Sequence, residues 1–228
     1  MLRFLLRRLL LTVPVLFGLT ALVFAIARLL PGDPVALAAG PNATPAEIAA
    51  YAKEFGLDRP LLTQYFDYLG NLLHGDFGMS LYTRRPVVED LAAYLPATLE
   101  LVFAAMALAM GVGIPLGLWA GVRRDAWPDV VSRTLALGAI SMPRFFLGLL
   151  LQLAFAMALG WLPLGGRYPI TLDPPALVTG FLTLDALLAG DLEAFATACR
   201  HLALPALAMS LSPLATLMRM MRASTIEV

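Results

Sequence analysis

The sequence holds one cysteine, Cys199, and two histidines, His74 and His201. A lone thiol excludes an intrachain disulfide and any cysteine-based metal cluster. Charge is equally scarce: 14% of the 228 residues are charged, where a soluble domain carries about 25%. Sixteen basic and sixteen acidic residues cancel, so no net charge favours nucleic acid. Catalytic motifs are missing too. There is no G-x-x-x-x-G-K-[ST] phosphate cradle, no H-E-x-x-H and no G-x-S-x-G. Gly111-Val112-Gly113 lacks the third glycine of a dinucleotide loop and reads as close helix packing by small residues. No paired nucleophile and base stands within the apolar runs, and the chain shows no internal repeat. These absences predict no catalytic, cofactor-binding or metal-ligating residue and argue against an enzyme.

Apolar residues are what the chain has in excess. They make up 60% of it, and mean hydropathy is +0.79. A soluble fold of this size could not bury so much apolar surface and keep a polar exterior, so the bilayer is the natural solvent. A membrane helix needs about 20 mostly apolar residues. Leu9–Leu30, Leu101–Val122, Thr134–Gly166 and Leu202–Met218 meet or approach that need. The fold class is therefore all-α, a polytopic membrane protein with about four spans and short outer helices. The ten methionines lie mostly in these runs and read as fillers of an apolar interior. Ile170–Gly190 carries Asp173, Asp185 and Pro174-Pro175, which place it outside the membrane. The domain reading is 1–30 for the N-terminus and first span, 31–95 for an outer helical region, and 96–228 for the remaining spans, at about 99–122, 135–160 and 202–222.

Arginines set the orientation. Arg3, Arg7 and Arg8 precede the first span, Arg123, Arg124 and Arg133 follow the second, and Arg219 and Arg222 close the last. Four alternating spans bring all three clusters to one side, the cytoplasm by the positive-inside rule. The N-terminus is then cytoplasmic. Arg3 to Arg8 followed by Ala25-Ile26-Ala27 also has the form of a signal peptide, but the apolar run exceeds the usual core of about 7–15 residues and is read as a retained span.

The outer region has local signals of its own. Thr44-Pro45-Ala46-Glu47 is a capping box, predicting a helix that runs to about Phe55 and stops at Gly56. Asn42-Ala43-Thr44 matches a glycosylation sequon but is read as cap chemistry. Pro60 opens a second helix with Leu61, Leu62, Tyr65, Leu69 and Leu72 as its apolar stripe, and Gly75-Asp76-Phe77-Gly78 reads as a turn. Pro86 opens a third helix, Val87–Tyr94, which Pro96 separates from the second span. Thr183–Leu188 predicts a short amphipathic helix resting in the interface, with Leu184, Leu187 and Leu188 on one face. Gly190-Asp191 interrupts it before Leu192–Phe195 resumes.

Arg144 is the exception inside the apolar runs. A charge at mid-bilayer costs about 2.5–3.5 kcal/mol on insertion scales. If the span runs from Ala136 to Ala156, Arg144 is central and must face a cavity, a carboxylate or backbone carbonyls. If it runs from Met142 to Leu162, Arg144 snorkels at the cytoplasmic edge. As one helix, Val130–Trp161 would measure about 48 Å against a core of about 30 Å. A strong tilt or a break is therefore required, and Pro143 offers the break. Gln152, two turns on, points to a related face. Arg144 and Gln152 are the candidate pathway residues.

Taken together, a series of short motifs resembles the permease subunit of bacterial ABC importers of the dipeptide/oligopeptide/nickel family. They are Pro31-Gly32-Asp33-Pro34, Gly56-Leu57-Asp58-Arg59-Pro60, Gly75-Asp76-Phe77-Gly78-Met79-Ser80 and Leu95-Pro96-Ala97-Thr98-Leu99-Glu100-Leu101. Then follow Ser141-Met142-Pro143, Phe145-Phe146-Leu147-Gly148, Leu204-Pro205-Ala206-Leu207 and the run from Arg219 to Arg222-Ala223-Ser224. Their order and spacing cover essentially the whole chain. The resemblance implies the type I ABC importer transmembrane fold in a bacterial inner membrane. It implies a second permease as partner, two cytoplasmic ATPase subunits and an outer binding protein that delivers peptide. It implies that Arg222, Ser224 and Glu227 begin the ATPase-coupling segment. The docking glycine and the two spans that usually follow lie beyond this sequence, so the resemblance also implies a chain truncated at its C-terminus. Nickel is a less fitting cargo, and a non-transporting membrane scaffold is the alternative from another class.

Overall fold

The computed structural model describes residues 2–29, 43–54, 56–80 and 82–227. The Pro31–Pro34 motif, Asn42 of the sequon and the expected helix end at Phe55 lie outside these. Every regular element among the described residues is helical. Two compact units divide the chain, Met1–Ala92 and Ala93–Val228.

The first unit starts with α1, Leu2–Leu29. It is followed by α2, Pro45–Glu54, and α3, Leu61–Leu73. The capping box forms as its spacing predicts: the Thr44 amide donates to Glu47 Oε2 at 2.7 Å and the Glu47 amide to Thr44 Oγ1 at 3.3 Å. Past Glu54, the Leu57 amide reaches back to the Ala52 carbonyl at 2.8 Å, the six-to-one bond of a Schellman cap. Gly56 sits at φ +63° between them. The α3 stripe is rotated from the expected one. Leu61 and Leu62 are exposed, while Gln64 and Tyr65 are buried and Leu69 and Leu72 half-buried. Gln64 explains the rotation, because its amide donates to the carbonyls of Leu57 and Arg59 at 3.1 and 2.7 Å and closes the turn before the helix. The expected turn after α3 is present, with the Gly78 amide donating to Asp76 Oδ1 at 2.8 Å.

Tyr65 joins α3 to α1. Its hydroxyl lies 3.1 Å from the Phe17 carbonyl oxygen and 3.0 Å from Thr20 Oγ1. Its ring meets Phe17 and Phe24 at centroid distances of 5.6 and 5.3 Å.

Helix α4, Val87–Val122, runs from the first unit into the second. Pro96 does not separate an outer helix from a span, as the sequence suggested: the helix is continuous through Pro96 and Pro115. A proline removes one bond from the ladder, and a long membrane helix tolerates that loss. At about 1.5 Å per residue, 36 residues span about 54 Å, so the segment expected to be a separate outer helix is one end of a longer rod. The same holds for α8, Leu192–Glu227, which absorbs the expected outer Leu192–Phe195 segment. Asp191 caps it, accepting the Ala194 amide at 2.8 Å.

Between these rods the long third run is broken. Helix α5 covers Trp127–Ser141, and α6 covers Arg144–Leu151 and continues as a π-helical stretch, Gln152–Ala158. Met142 is extended at φ −100°, ψ 138°, the geometry a following proline imposes. The break that the length conflict called for is thus present at Pro143. Residues 160–181 carry no regular helix, and α7, Leu182–Leu188, follows.

The second unit packs by close backbone approach. Ala136 of α5 and Ala215 and Met218 of α8 form a small buried core, covered by Leu116 and Leu214. A Cβ placed on Gly117 of α4 would lie 2.6 Å from the Met218 carbonyl oxygen and 2.7 Å from Met221 Cβ. Gly113 and Gly121, one turn to either side, meet Leu214 at 3.0 Å and Thr225 at 2.6 Å in the same sense. Gly111 meets nothing within 4 Å, so the small-residue contact belongs to Gly113 alone of that pair. Apolar solvent gives helices no hydrophobic reason to associate, and small residues in register supply close van der Waals contact instead.

Candidate functional site

Three polar constellations interrupt the apolar second unit. The first is the Arg144 hollow. The break at Pro143 makes Arg144 the first residue of α6. There it faces a space of about 460 Å³ lined by Val102, Ala105 and Met106 of α4 and Met209, Ser212 and Thr216 of α8. The side chain is exposed and makes no ion pair among the described residues. Gln152 is not brought to this hollow. It begins the π-helical stretch, and its amide donates to the Leu164 carbonyl at 2.9 Å, tying α6 to the loop beyond it.

The second constellation is built on Glu100, which is 7% exposed despite its place in an apolar helix. Its Oε1 accepts the Thr183 amide at 2.8 Å and the Thr183 hydroxyl at 2.7 Å. Its Oε2 accepts Arg167 Nη2 at 2.9 Å, and the same nitrogen donates to the Gly180 carbonyl at 2.8 Å. His201 Nδ1 lies 3.1 Å from the Gly165 carbonyl oxygen. The loop 160–181 is therefore strapped to α4 and α8 over a second hollow of about 280 Å³. Asp185 of α7 holds the same loop. It is 1% exposed and accepts the amides of Val178, Thr179 and Gly180 at 3.3, 2.8 and 3.0 Å and the Thr179 hydroxyl at 2.6 Å. Burial opposes its charge, yet these bonds outweigh burial and hold its carboxyl below the usual range. The expected apolar face of α7, Leu184, Leu187 and Leu188, is left exposed.

The third constellation lies where α4, α5 and α8 meet. Asp129, in the first turn of α5, is fully buried. Arg222 of α8, 93 residues away, grips both of its oxygens, with Nη2 at 2.9 Å from Oδ2. The Asp125 amide donates to Oδ2 at 3.0 Å, and Arg133 Nε lies 3.5 Å from Oδ1. The Arg222 hydrogen bonds, aided by the Asp125 amide and the two guanidinium charges, hold the Asp129 carboxyl well below its ordinary range against the cost of burial. This contact sets the Arg219–Arg222 cluster beside the Arg123–Arg133 cluster, at one end of the second unit. Ser224 and Glu227 are exposed on the same helix.

Sequence patterns assign no site role to Asp129, Glu100 or Asp185: Asp185 counts only as a charge interrupting an apolar run, and Glu100 only as part of the Leu95–Leu101 motif. Glu100 had a usable signal, a carboxylate directly abutting an uncharged run of 22 residues, Leu101–Val122. The partners of Asp129 and Glu100 are 93, 83 and 67 positions away, beyond any local pattern. Among the described residues no three of His, Cys, Asp and Glu gather at one point.

Comparison with known proteins decides the family. Residues 1–102 match the N-terminal membrane component of binding-protein-dependent transport systems, and residues 113–228 match the binding-protein-dependent transport system inner membrane component. The chain belongs to this permease family. It is 45% identical over 213 residues to the probable D,D-dipeptide transport system permease protein DdpB of Escherichia coli (strain K12), covering 93% of this chain and 63% of that one. It is 42% identical over 229 residues to the di/tripeptide transport system permease protein DppB of Pseudomonas aeruginosa, covering 100% of this chain and 68% of that one. The glutathione transport system permease protein GsiC of Escherichia coli is 43% identical over 166 residues, 73% of this chain and 54% of its own. The chain thus spans about two thirds of the first two relatives' length. The family is a membrane permease, in keeping with three helices among the described residues long and apolar enough to cross a bilayer, within α1, α4 and α8.

Proposed function

We propose that the chain is the permease component of an ATP-driven importer of short peptides. The observation that carries this reading is the extent of the likeness: relatives named for D,D-dipeptide and for di- and tripeptide transport match along 93% and 100% of the chain. The division at residues 30 and 95 and a cytoplasmic N-terminus belong to the same proposal. The second and third arginine clusters lie at one end of the second unit, which supports that orientation through the positive-inside rule.

In this reading a second permease subunit completes the path, two cytoplasmic subunits hydrolyse ATP, and an outer binding protein delivers the peptide. The permease alternates between outward and inward access, and the partners bias that equilibrium. Arg144 supplies a cation at the mouth of a hollow between α4 and α8, a fit for a peptide carboxylate passing through. A guanidinium can hold a carboxylate through two parallel bonds and release it when water re-enters. Gln152 acts on the same path by holding α6 to Leu164. Arg222 begins the segment that meets the ATPase, and Ser224 and Glu227 supply its exposed side.

The test is uptake of a labelled dipeptide into cells lacking their own copy of the gene. The wild-type chain with its partner subunits should restore ATP-dependent uptake. Arg144→Gln should lower uptake about tenfold at equal membrane level, the scale of about 1.4 kcal/mol. Unchanged uptake would remove Arg144 from the path. A wild-type chain that binds its outer partners but no ATPase subunit would favour the scaffold reading.

A further inference from the structure

The last turns of α8 present two distinct faces, one of them turned toward the buried Asp129 carboxylate. Successive residues of a helix are about 100° apart, so Ser224 and Glu227 stand about 200° and 140° from Arg222. Arg222 points inward to Asp129. Thr225 shares that inner side, meeting Gly121 so closely that a Cβ on the glycine would lie 2.6 Å from Thr225 Cβ. Met218, one turn earlier, is 3% exposed on the same side. Met220, Ser224 and Glu227 are exposed and form an outward stripe at i, i+4 and i+7.

We propose that Asp129 is a positioning residue for coupling, fixing the rotation of the last two turns of α8 so that Ser224 and Glu227 face outward. The apolar contacts on the inner side do not suffice to fix that rotation. Gly117 and Gly121 carry no side chain to lock against Met218, Met221 and Thr225, so turning α8 past them gives up only dispersion contacts. The Asp129–Arg222 grip is directional. It uses two nitrogens of one guanidinium on two oxygens of one carboxylate, and the Asp125 amide fixes the carboxylate plane from the α4–α5 turn. Arg133 stands 3.5 Å from the same carboxylate and adds a positive charge beside it without replacing the Arg222 fork. A movement of the α4–α5 turn is thereby carried to the outward stripe through one rigid pair.

That the stripe meets an ATPase rests on the function proposed above, and the rotation can be tested apart from it. Single cysteines at Ser224 and at Thr225, in a chain with Cys199→Ala, report the two faces through their rates of reaction with a water-soluble maleimide. With Asp129 intact, the position-224 thiol should react at least tenfold faster than the position-225 thiol. Asp129→Asn should bring that ratio to within about threefold, and Arg222→Lys, which keeps the charge but loses the fork, should give an intermediate ratio. A ratio unchanged in Asp129→Asn protein that is inserted and folded overturns the proposal. If Asp129→Asn fails to fold, Arg222→Lys alone decides: an unchanged ratio overturns the proposal and a reduced one supports it. In the assembled transporter, Asp129→Asn should raise the ATP consumed per peptide moved at least fivefold. A merely structural role would lower the amount of transporter and leave that quotient as it was, which would also overturn the proposal. If the wild-type chain moves no peptide, the functional reading fails while the labelling ratio still decides the positioning role.

Discussion

The two units hold their helices together by different means. In the first, α1 and α3 meet through one tyrosine and a few rings, and the long face of α1 is exposed throughout, from Phe4 to Ile26. In the second, helices approach until glycine and backbone touch, and the buried carboxylates Asp129 and Glu100 tie segments distant in sequence. Soluble domains are held by burying apolar surface, and membrane helices cannot be, since lipid tails are as apolar as leucine. The second unit shows the alternative: small residues for contact, buried polar pairs for address. Breaking each device should tell which one the unit depends on.

The largest effect should come from Gly117. Replacing it with leucine pushes a side chain into the Met218 backbone, which cannot yield as a flexible side chain would. Overpacking of this kind costs about 3 kcal/mol. Cys199, half-buried and the only thiol in the chain, gives the readout through its reaction with a fluorogenic maleimide during heating in detergent. Gly117→Leu should lower the unfolding midpoint sharply, and Gly111→Leu should change stability by less than about 0.5 kcal/mol. Equal losses would mean that close approach at Gly117 is not what holds α4, since leucine improves helix propensity at both positions.

Asp185→Ala should cost about 2 kcal/mol, less than the sum for three orphaned amides because the opened loop admits water to them. The loss is local. Hydrogen exchange should accelerate at Val178, Thr179 and Gly180 while α4 and α8 keep their protection. Protection lost throughout the second unit would mean that the strap organises the rods rather than covering them.

Much of the first unit could be read from the sequence because its determinants are local. The Thr44–Glu47 box and the Gly75–Gly78 turn each act within four residues, and each formed as read. The second unit was legible only in outline. Counting apolar residues locates a span, but it does not say where a helix continues past a proline, and Pro96 and Pro115 both proved internal to α4. Pro143 was the one break the sequence could locate, because the run it divides was too long for a bilayer. Arg144 stood out because it was a charge among apolar residues. Asp129 did not, since it sits among ordinary turn residues and its meaning lies in Arg222, 93 positions on. Sequence patterns report periodicity, whereas these pairs are set by tertiary register.

Tyr65 allows the first unit to be dissected in turn. Tyr65→Phe keeps the ring contacts with Phe17 and Phe24 and deletes the hydroxyl that reaches the Phe17 carbonyl and Thr20. The loss of such a bond costs about 1 kcal/mol, or about a fivefold rise in the open population. Amide hydrogen exchange within α3, Leu61–Leu73, should rise by that factor in the full chain. No change would assign the whole contact to the rings, sharpening the contrast with the hydrogen-bonded second unit.

Mild acid should give the smallest effect and separate the strap from the tyrosine contact. Asp185 is held below its ordinary pKa in the folded protein. Its contribution to stability is therefore fully present above the unfolded carboxyl value of about 3.9 and is lost as pH falls through the lower folded value. Exchange at Val178, Thr179 and Gly180, corrected for the intrinsic pH dependence of amide exchange, should be flat from about pH 7 to pH 5 and quicken only below about pH 4. Asp185→Asn should remove that acid-dependent step, because no proton remains to be taken up at that position. The α1–α3 contact, made by a hydroxyl and rings, should show no step in the same range. A step that survives in Asp185→Asn would shift the cause to Glu100, whose carboxylate holds the same strap from α4 through Thr183 and Arg167. The strap would then depend on the α4 carboxylate more than on the one within its own turn.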